Sequence, residues 1–354
     1  SALPVVSIGE LDGADEYQLF NVRGARKLSD GRIVIANAGS HELRFYSAEG
    51  EYLSSTGGEG DGPGEFRALW SFDVTAEDSV FAWDQRQRRV SVLAPSGQYV
   101  RSFQLDPPAE RVFPMFDRML SDGGVLVTAG NIVSEAPQNG IRRGTSRLLR
   151  YSAEGEPGDT LALLTTRGSL IRLLGGPQDG FSFDTVPFDP GPAWTRAPGG
   201  LFLAAGPQFE VRQLAATGAL QRVFRIDGRP APVTPELWES AVEMLVGGYS
   251  DASWAADTRE AFLQAENPEF VPRIAALLSS DGHLFARRYP MPGEDVAQWQ
   301  VLDPSGVWLG TIATPAGLRV WQIGPDFVLG KLTDDLGVER VVVYRLHRDG
   351  VSAT

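Results

Sequence analysis

The sequence contains no cysteine, which excludes disulfides, thiolate metal sites and cysteine nucleophiles together. Histidine is nearly as scarce. Only His41, His283 and His347 occur in 354 residues, and no two share the spacing of a paired metal site. A G-x-S-x-G elbow is missing, so a serine-hydrolase triad has no sequence support. No run of about eighteen apolar residues occurs, so no transmembrane helix is expected. A basic excess is lacking too: the net charge is −13. Nucleic-acid binders draw most of their affinity from cationic surface, so the acidic balance argues against nucleic acid and anionic membranes as partners. The chain opens SALPVVSIGEL without an initiator Met. This fits an exported protein, periplasmic or extracellular, whose signal peptide has been removed, or a chain trimmed at its start; export is the expectation.

What is present is repetition. An apolar pair, three polar residues, a glycine and a strand-like run recur as FYSAEGEYL (Gly50), VLAPSGQYV (Gly97), RYSAEGEPG (Gly155), QLAATGALQ (Gly218), VLDPSGVWL (Gly306) and RLHRDGV (Gly350). Glycine suits each turn because a tight hairpin needs positive φ, where a side chain clashes. A second phrase of turn residues before a short β-prone run precedes each: LSDGRIVIA, TAEDSVFAW, LSDGGVLVT, RAPGGLFLA, SSDGHLFAR and IGPDFVLGK. Six pairs of hairpins predict six units of about four strands, an all-β chain best satisfied by a six-bladed β-propeller. The last unit ends in RVVVYRLHRDGVSAT, short of a fourth strand, and PVVSIGEL near the start is strand-like. The N-terminal strand is therefore expected to complete the last blade.

Unequal spacing marks insertions. Gly97 to Gly155 is stretched by NIVSEAPQNGIRRG, read as a long loop between the middle strands of blade three. Residues 229–270 are read as a helical insertion between blades four and five, within one propeller domain spanning 1–354. Thr234 is a candidate N-cap with Pro235 in the first turn, and Leu237, Ala241, Val242 and Leu245 form an apolar stripe. The two helices form either a lid over one face or a brace on the rim.

The stretch IVIANAGSHELRFYSAEGEYLSSTGGEGDGPGEF resembles the NHL repeat, with Asn37, Ser40, His41 and Glu42 at its polar turn and Asp84, Gln87, Arg88 and Arg89 at the next. The likeness is specific over residues 28–105, with Glu42 standing where the repeat usually has Arg. It implies a secreted bacterial NHL-like propeller. GGEGDGPGEF (Gly57 to Phe66) then reads as an inter-blade connector, since it lacks the Gly-Lys-Ser/Thr ending of a phosphate loop and the alternating ligands of an EF-hand.

Function is sought where the inner strands converge. Their beginnings read LFNVRG, LWSFD, MFDRM, AWTRA, FVPRI and LRVWQ, with an aromatic in each at Phe20, Trp70, Phe116, Trp194, Phe270 and Trp321. Arg23, Arg118, Arg196, Arg273 and Arg319 lie nearby. Facing the channel, these arginines with Trp70, Trp194 and Trp321 make a cationic, aromatic mouth for an anionic or sugar-like ligand. The plainer reading packs the aromatics between blades and pairs the arginines with Asp73, Asp117 or neighbouring acids. Two functional readings follow: a non-catalytic, monomeric binding module without cofactor, for a protein, peptide or glycan, or a calcium-dependent hydrolase or lyase such as a lactonase. Related propeller enzymes hold calcium or zinc at the channel, which makes Asn21, Asp73 and Asp117 the candidate ligands. Calcium and EDTA separate the two: a saturated channel metal adds about 2–3 kcal/mol of stability by linkage, whereas a metal-free binding module is expected to melt at the same temperature in either.

Overall fold

The computed structural model describes residues 3–110, 112–131, 138–174 and 180–346, and within it the repeated phrases are antiparallel hairpins. After β1 (Val6–Ile8), the first blade comprises β2 (Val22–Lys27), β3 (Ile33–Asn37), β4 (Glu42–Tyr46) and β5 (Tyr52–Gly57). The second comprises β6 (Leu69–Val74), β7 (Val80–Asp84), β8 (Arg89–Leu93) and β9 (Tyr99–Gln104). Next come β10 (Val112–Met119), β11 (Val125–Asn131), β12 (Gly140–Arg142), β13 (Thr145–Tyr151) and β14 (Pro157–Thr165), then β15 (Ser169–Leu173) and β16 (Phe181–Thr185). Blade three is β10, β11, β13 and β14, while β12, β15 and β16 form a separate three-stranded sheet. Blade four is β17 (Ala193–Ala197), β18 (Gly200–Ala204), β19 (Glu210–Ala215) and β20 (Leu220–Arg225). Helices α1 (Pro235–Val246) and α2 (Ala252–Gln264) precede blade five, which is β21 (Ala276–Ser280), β22 (His283–Arg287), β23 (Val296–Leu302) and β24 (Trp308–Pro315). Blade six is β25 (Arg319–Ile323), β26 (Phe327–Thr333), β27 (Glu339–Arg345) and, as its fourth strand, β1.

The burial pattern follows from radial packing. Second strands are covered on both faces by neighbouring blades, so β3, β7 and β18 are buried at every residue and read IVIAN, VFAWD and GLFLA. Outer strands such as β5 and β9 are largely exposed. In blades one and two the polar turn holds the entrance: Asn37 Oδ1 accepts from the Phe20 N–H at 2.8 Å, and buried Asp84 accepts from the N–H groups of Arg67 and Ala68. In the connector, Arg89 donates to the carbonyls of Asp61, Gly62 and Glu65, and Phe66 is fully buried in the core shared by blades one and two.

The two insertions pack on each other. Between the middle strands of blade three, β12 pairs with β15 instead of remaining loop, and residues 132–137 of that stretch lie outside the described residues. Leu170, Val186 and Phe188 share a core with Trp238, Val242 and Val246 of α1 and Phe262 of α2. Thr234 caps α1 by accepting from the Leu237 N–H, and Asp251 caps α2 by accepting from Ser253 and Trp254. Arg172 of β15 lies 4.2 Å from the Trp254 ring, and the Tyr249 hydroxyl donates to Asp184 of β16. The helices therefore form a brace. Trp238, Tyr249 and Trp254, the aromatics that distinguish this insertion, face the extra sheet or the other helix. No helix among the described residues is long and apolar enough to cross a membrane.

Ring closure rests on β1, whose Val6, Ser7 and Ile8 pair with Val343, Val342 and Val341. Val6 and Ile8 are buried with Leu329 and Tyr46. Deleting residues 1–10 is expected to remove about 4 kcal/mol of apolar burial and to lower Tm by about 5–10 °C. Differential scanning calorimetry measures it, and an unchanged Tm would show that the ring closes without this strand.

Candidate functional site

The inner strands β2, β6, β10, β17, β21 and β25 lie side by side around the axis, with β2 against both β6 and β25, β10 against β6, and β21 against both β17 and β25. Four of them carry a β-bulge. The extra residues are Arg23 in β2, Trp70 in β6, Asp117 in β10 and Trp321 in β25. A bulge inserts one residue and reverses the facing of all that follow. Accordingly Val22 and Ala25, three apart, share one core, as do Leu69 and Phe72, Phe116 and Met119, and Val320 and Ile323. Strict alternation would have put Arg26 on the face of Val22 and Asp73 on the face of Leu69. The bulges turn both out of those cores.

A charged belt results. The Arg196 guanidinium pairs with buried Asp73 and also donates to the Met119 carbonyl at 2.9 Å. Asp73 accepts in addition from the Met119 N–H at 2.8 Å. Arg118 Nε donates to Asp117 at 2.9 Å and its Nη1 to Thr195 at 3.1 Å, while Trp194 Nε1 donates to the same Asp117 oxygen at 2.8 Å. Ser279 of blade five donates to the Arg196 carbonyl. Burial opposes the charge on Arg118, but Asp117 and Asp73 outweigh it and hold its pKa above the ordinary value.

Arg26 differs. Its Nη1 donates only to the carbonyls of Ala25 and Trp321, both at 3.0 Å, and among the described residues it forms no ion pair. Its other N–H groups are not sealed off from solvent. Protein surrounds the side chain all the same, as expected where it lines a narrow channel, and burial is the main cause lowering its pKa to about 10. The attraction of Asp73 is offset by Arg118 and Arg196. Three guanidiniums against two carboxylates leave one positive charge in the belt.

The predicted residues sort cleanly. Arg23 stacks on Trp70 at 4.2 Å, with Trp70 40% exposed and Phe20, just before β2, 72% exposed. Arg319 lies 6.0 Å from the Trp321 ring. Arg118, Trp194 and Arg196 belong to the belt, while Phe116 is core between blades two and three. Arg273 does not face the channel: it donates to the carbonyls of Ile226, Asp227 and Gly228, just beyond the outermost strand of blade four. The segment FVPRI is not an inner strand; β21 begins at Ala276, so Phe270 and Arg273 precede it. Arg26 escaped sequence reading because only the bulge sets its direction.

The metal-site residues do not form a donor set. Asp73 and Asp117 are each engaged by an arginine, and Asn21 stands at the entrance in the left-handed region with φ 56°. Among the described residues no three His, Asp or Glu side chains are placed to hold a metal ion. His41 and His283 sit in hairpins of different blades, and His347 lies outside the described residues.

Comparison with known proteins agrees with the architecture. The DUF5128 family model, a 6-bladed beta-propeller, matches residues 11–118. The fold is a six-bladed β-propeller. The chain is similar to a member of the DUF4221 family from Bacteroides vulgatus, at 10% identity and TM-score 0.54, covering 97% of each chain. It is also similar to virginiamycin B lyase from Staphylococcus aureus, at 10% identity and TM-score 0.41, covering 91% of this chain and 94% of that one. A gluconolactonase from Xanthomonas campestris is 12% identical at TM-score 0.41, covering 92% of this chain and 87% of that one. No curated protein matches the sequence.

The belt pair has a measurable signature. Arg196→Ala leaves buried Asp73 without its cation and is expected to cost about 2–4 kcal/mol. Arg259→Ala, which breaks solvent-exposed pairs with Glu239 and Glu243, is expected to cost far less, because water and salt already screen such pairs. Urea unfolding compares them, and equal costs would show that the Arg196–Asp73 pair contributes nothing special.

Proposed function

We propose that this chain is an exported, NHL-like binding propeller that captures an acidic protein, peptide or glycan at its channel mouth without catalysis. The observation that carries this reading is Arg26. Its charge is surrounded by protein and unmatched by a carboxylate, and two of the other channel cations are already paired. Because its folded-state value lies below the unfolded one, Arg26 destabilises the fold at every pH below about 10 and is relieved only above it. A cation kept at such a cost is explained by an anionic group that enters the channel and meets its free N–H groups. The exposed Phe20 and the Arg23–Trp70 stack add flat surfaces on which a sugar ring or peptide side chain rests. The alternative, a calcium-dependent hydrolase or lyase, would need ligands other than the candidate carboxylates Asp73 and Asp117, which Arg196 and Arg118 engage.

Arg26→Met tests the reading. The variant is expected to be as stable as the parent or more so, because it removes an uncompensated buried charge. Its affinity for uronic-acid oligosaccharides or acidic peptides is expected to fall about tenfold or more, the worth of a charge-assisted hydrogen bond. Calorimetry and binding titration read the two effects. Lost stability with unchanged binding would make Arg26 structural and remove the basis of this function.

A further inference from the structure

A second site lies away from the channel, where the brace meets blades four and five. A cavity of about 260 Å³ opens there, walled by Phe209, Ile226, Val271 and Met291. Both segments that tie the helices to the propeller contribute to it, Arg229 and Ala231 from the first, Val271 to Arg273 from the second.

The polar groups around these apolar walls are donors. Arg273 lies 5.7 Å from the Phe209 ring and its Nη1 is spent on three carbonyls, which fixes its guanidinium at the wall. Arg288 pairs with Glu294 through Nη2, and its Nη1 has no partner among the described residues. Tyr289 accepts from the Phe188 N–H at 2.9 Å and keeps its own hydroxyl proton to donate. Gln300 accepts from Trp308 Nε1 at 2.6 Å through Oε1, which leaves its amide N–H groups free. Arg229 is exposed and has no partner among the described residues. Three guanidiniums against the single carboxylate of Glu294 leave two positive charges in a protein of net charge −13.

We infer that this cavity binds a small aromatic carboxylate, its ring against Phe209 and Met291 and its carboxylate on Arg288 Nη1 with Arg229. The apolar walls reward an apolar body, and the modest volume limits it to a single ring with a short acidic arm. A surplus of donors selects an acceptor-only group. A carboxylate oxygen on an unpartnered guanidinium N–H makes a charge-assisted hydrogen bond. The inference is independent of the channel reading, since the two share no residue.

Isothermal titration of the intact protein with phenylacetate and with the neutral phenylacetamide tests it. Phenylacetate is expected to bind at least about tenfold more tightly than the amide, the margin of one charge-assisted hydrogen bond. Arg288→Gln is expected to abolish that preference. Ala231→Phe, at an exposed position on the cavity wall, is expected to plug the site and abolish binding of both while Tm stays unchanged. Arg26→Met is expected to leave phenylacetate binding intact. Absence of binding at millimolar concentration, equal affinity for acid and amide, or binding that survives Ala231→Phe would each overturn the inference. Loss of binding in Arg26→Met would place the anion in the channel and overturn it as well.

Discussion

The pairing of β1 with β27 is the constraint on which the molecule turns. A propeller blade buries both faces only if it has a neighbour on each side, and only a closed ring provides that for every blade. Three residues of the N-terminal segment, Val6 to Ile8, complete blade six and so bring the two ends of the described chain together. The seam has a second tie: Glu339 of β27 accepts from the Val22 N–H at the head of blade one and pairs with Lys331 of β26. Gly50 lets blade one approach it closely, since a Cβ there would lie 3.0 Å from Val6 and 3.2 Å from Ile8. With the ring shut, the six inner strands are forced around one axis, and their side chains meet.

That meeting has electrostatic consequences. Arginines and aspartates from different blades are brought into a space too confined to hydrate them fully, so most must be matched. Arg196 reaches Asp73 two blades away, and Asp117 is shared by Arg118 and Trp194. Matching is incomplete at Arg26, and the protein's net charge of −13 makes a local positive channel stand out against its surroundings. The site is thus defined less by any one residue than by an imbalance within a belt.

The brace acts on a different part of the ring. The extra sheet and the two helices have their own apolar core, and Tyr289 joins it to blade five through the Phe188 N–H. Both segments that connect the helices to the propeller line the cavity at their junction with blades four and five.

Much of this was legible in the sequence. The glycine turns and paired hairpin phrases determine six blades because positive φ and alternating apolar residues are local properties, readable one hairpin at a time. The incomplete last unit likewise implied the closing strand, and Thr234 marked the helix start. The sheet of β12, β15 and β16 was not legible, since its strands are separated by a whole hairpin of blade three and lack the repeated phrase. At the site, composition alone supplied arginines, tryptophans and aspartates near the inner strands. Which of them meet was decided by tertiary structure. The bulges at Arg23, Trp70, Asp117 and Trp321 reverse the facing of the residues after them, and a bulge forms only in register with a partner strand. Period-two reading therefore assigns Arg26 and Asp73 to the core, and only the folded ring turns them into the channel.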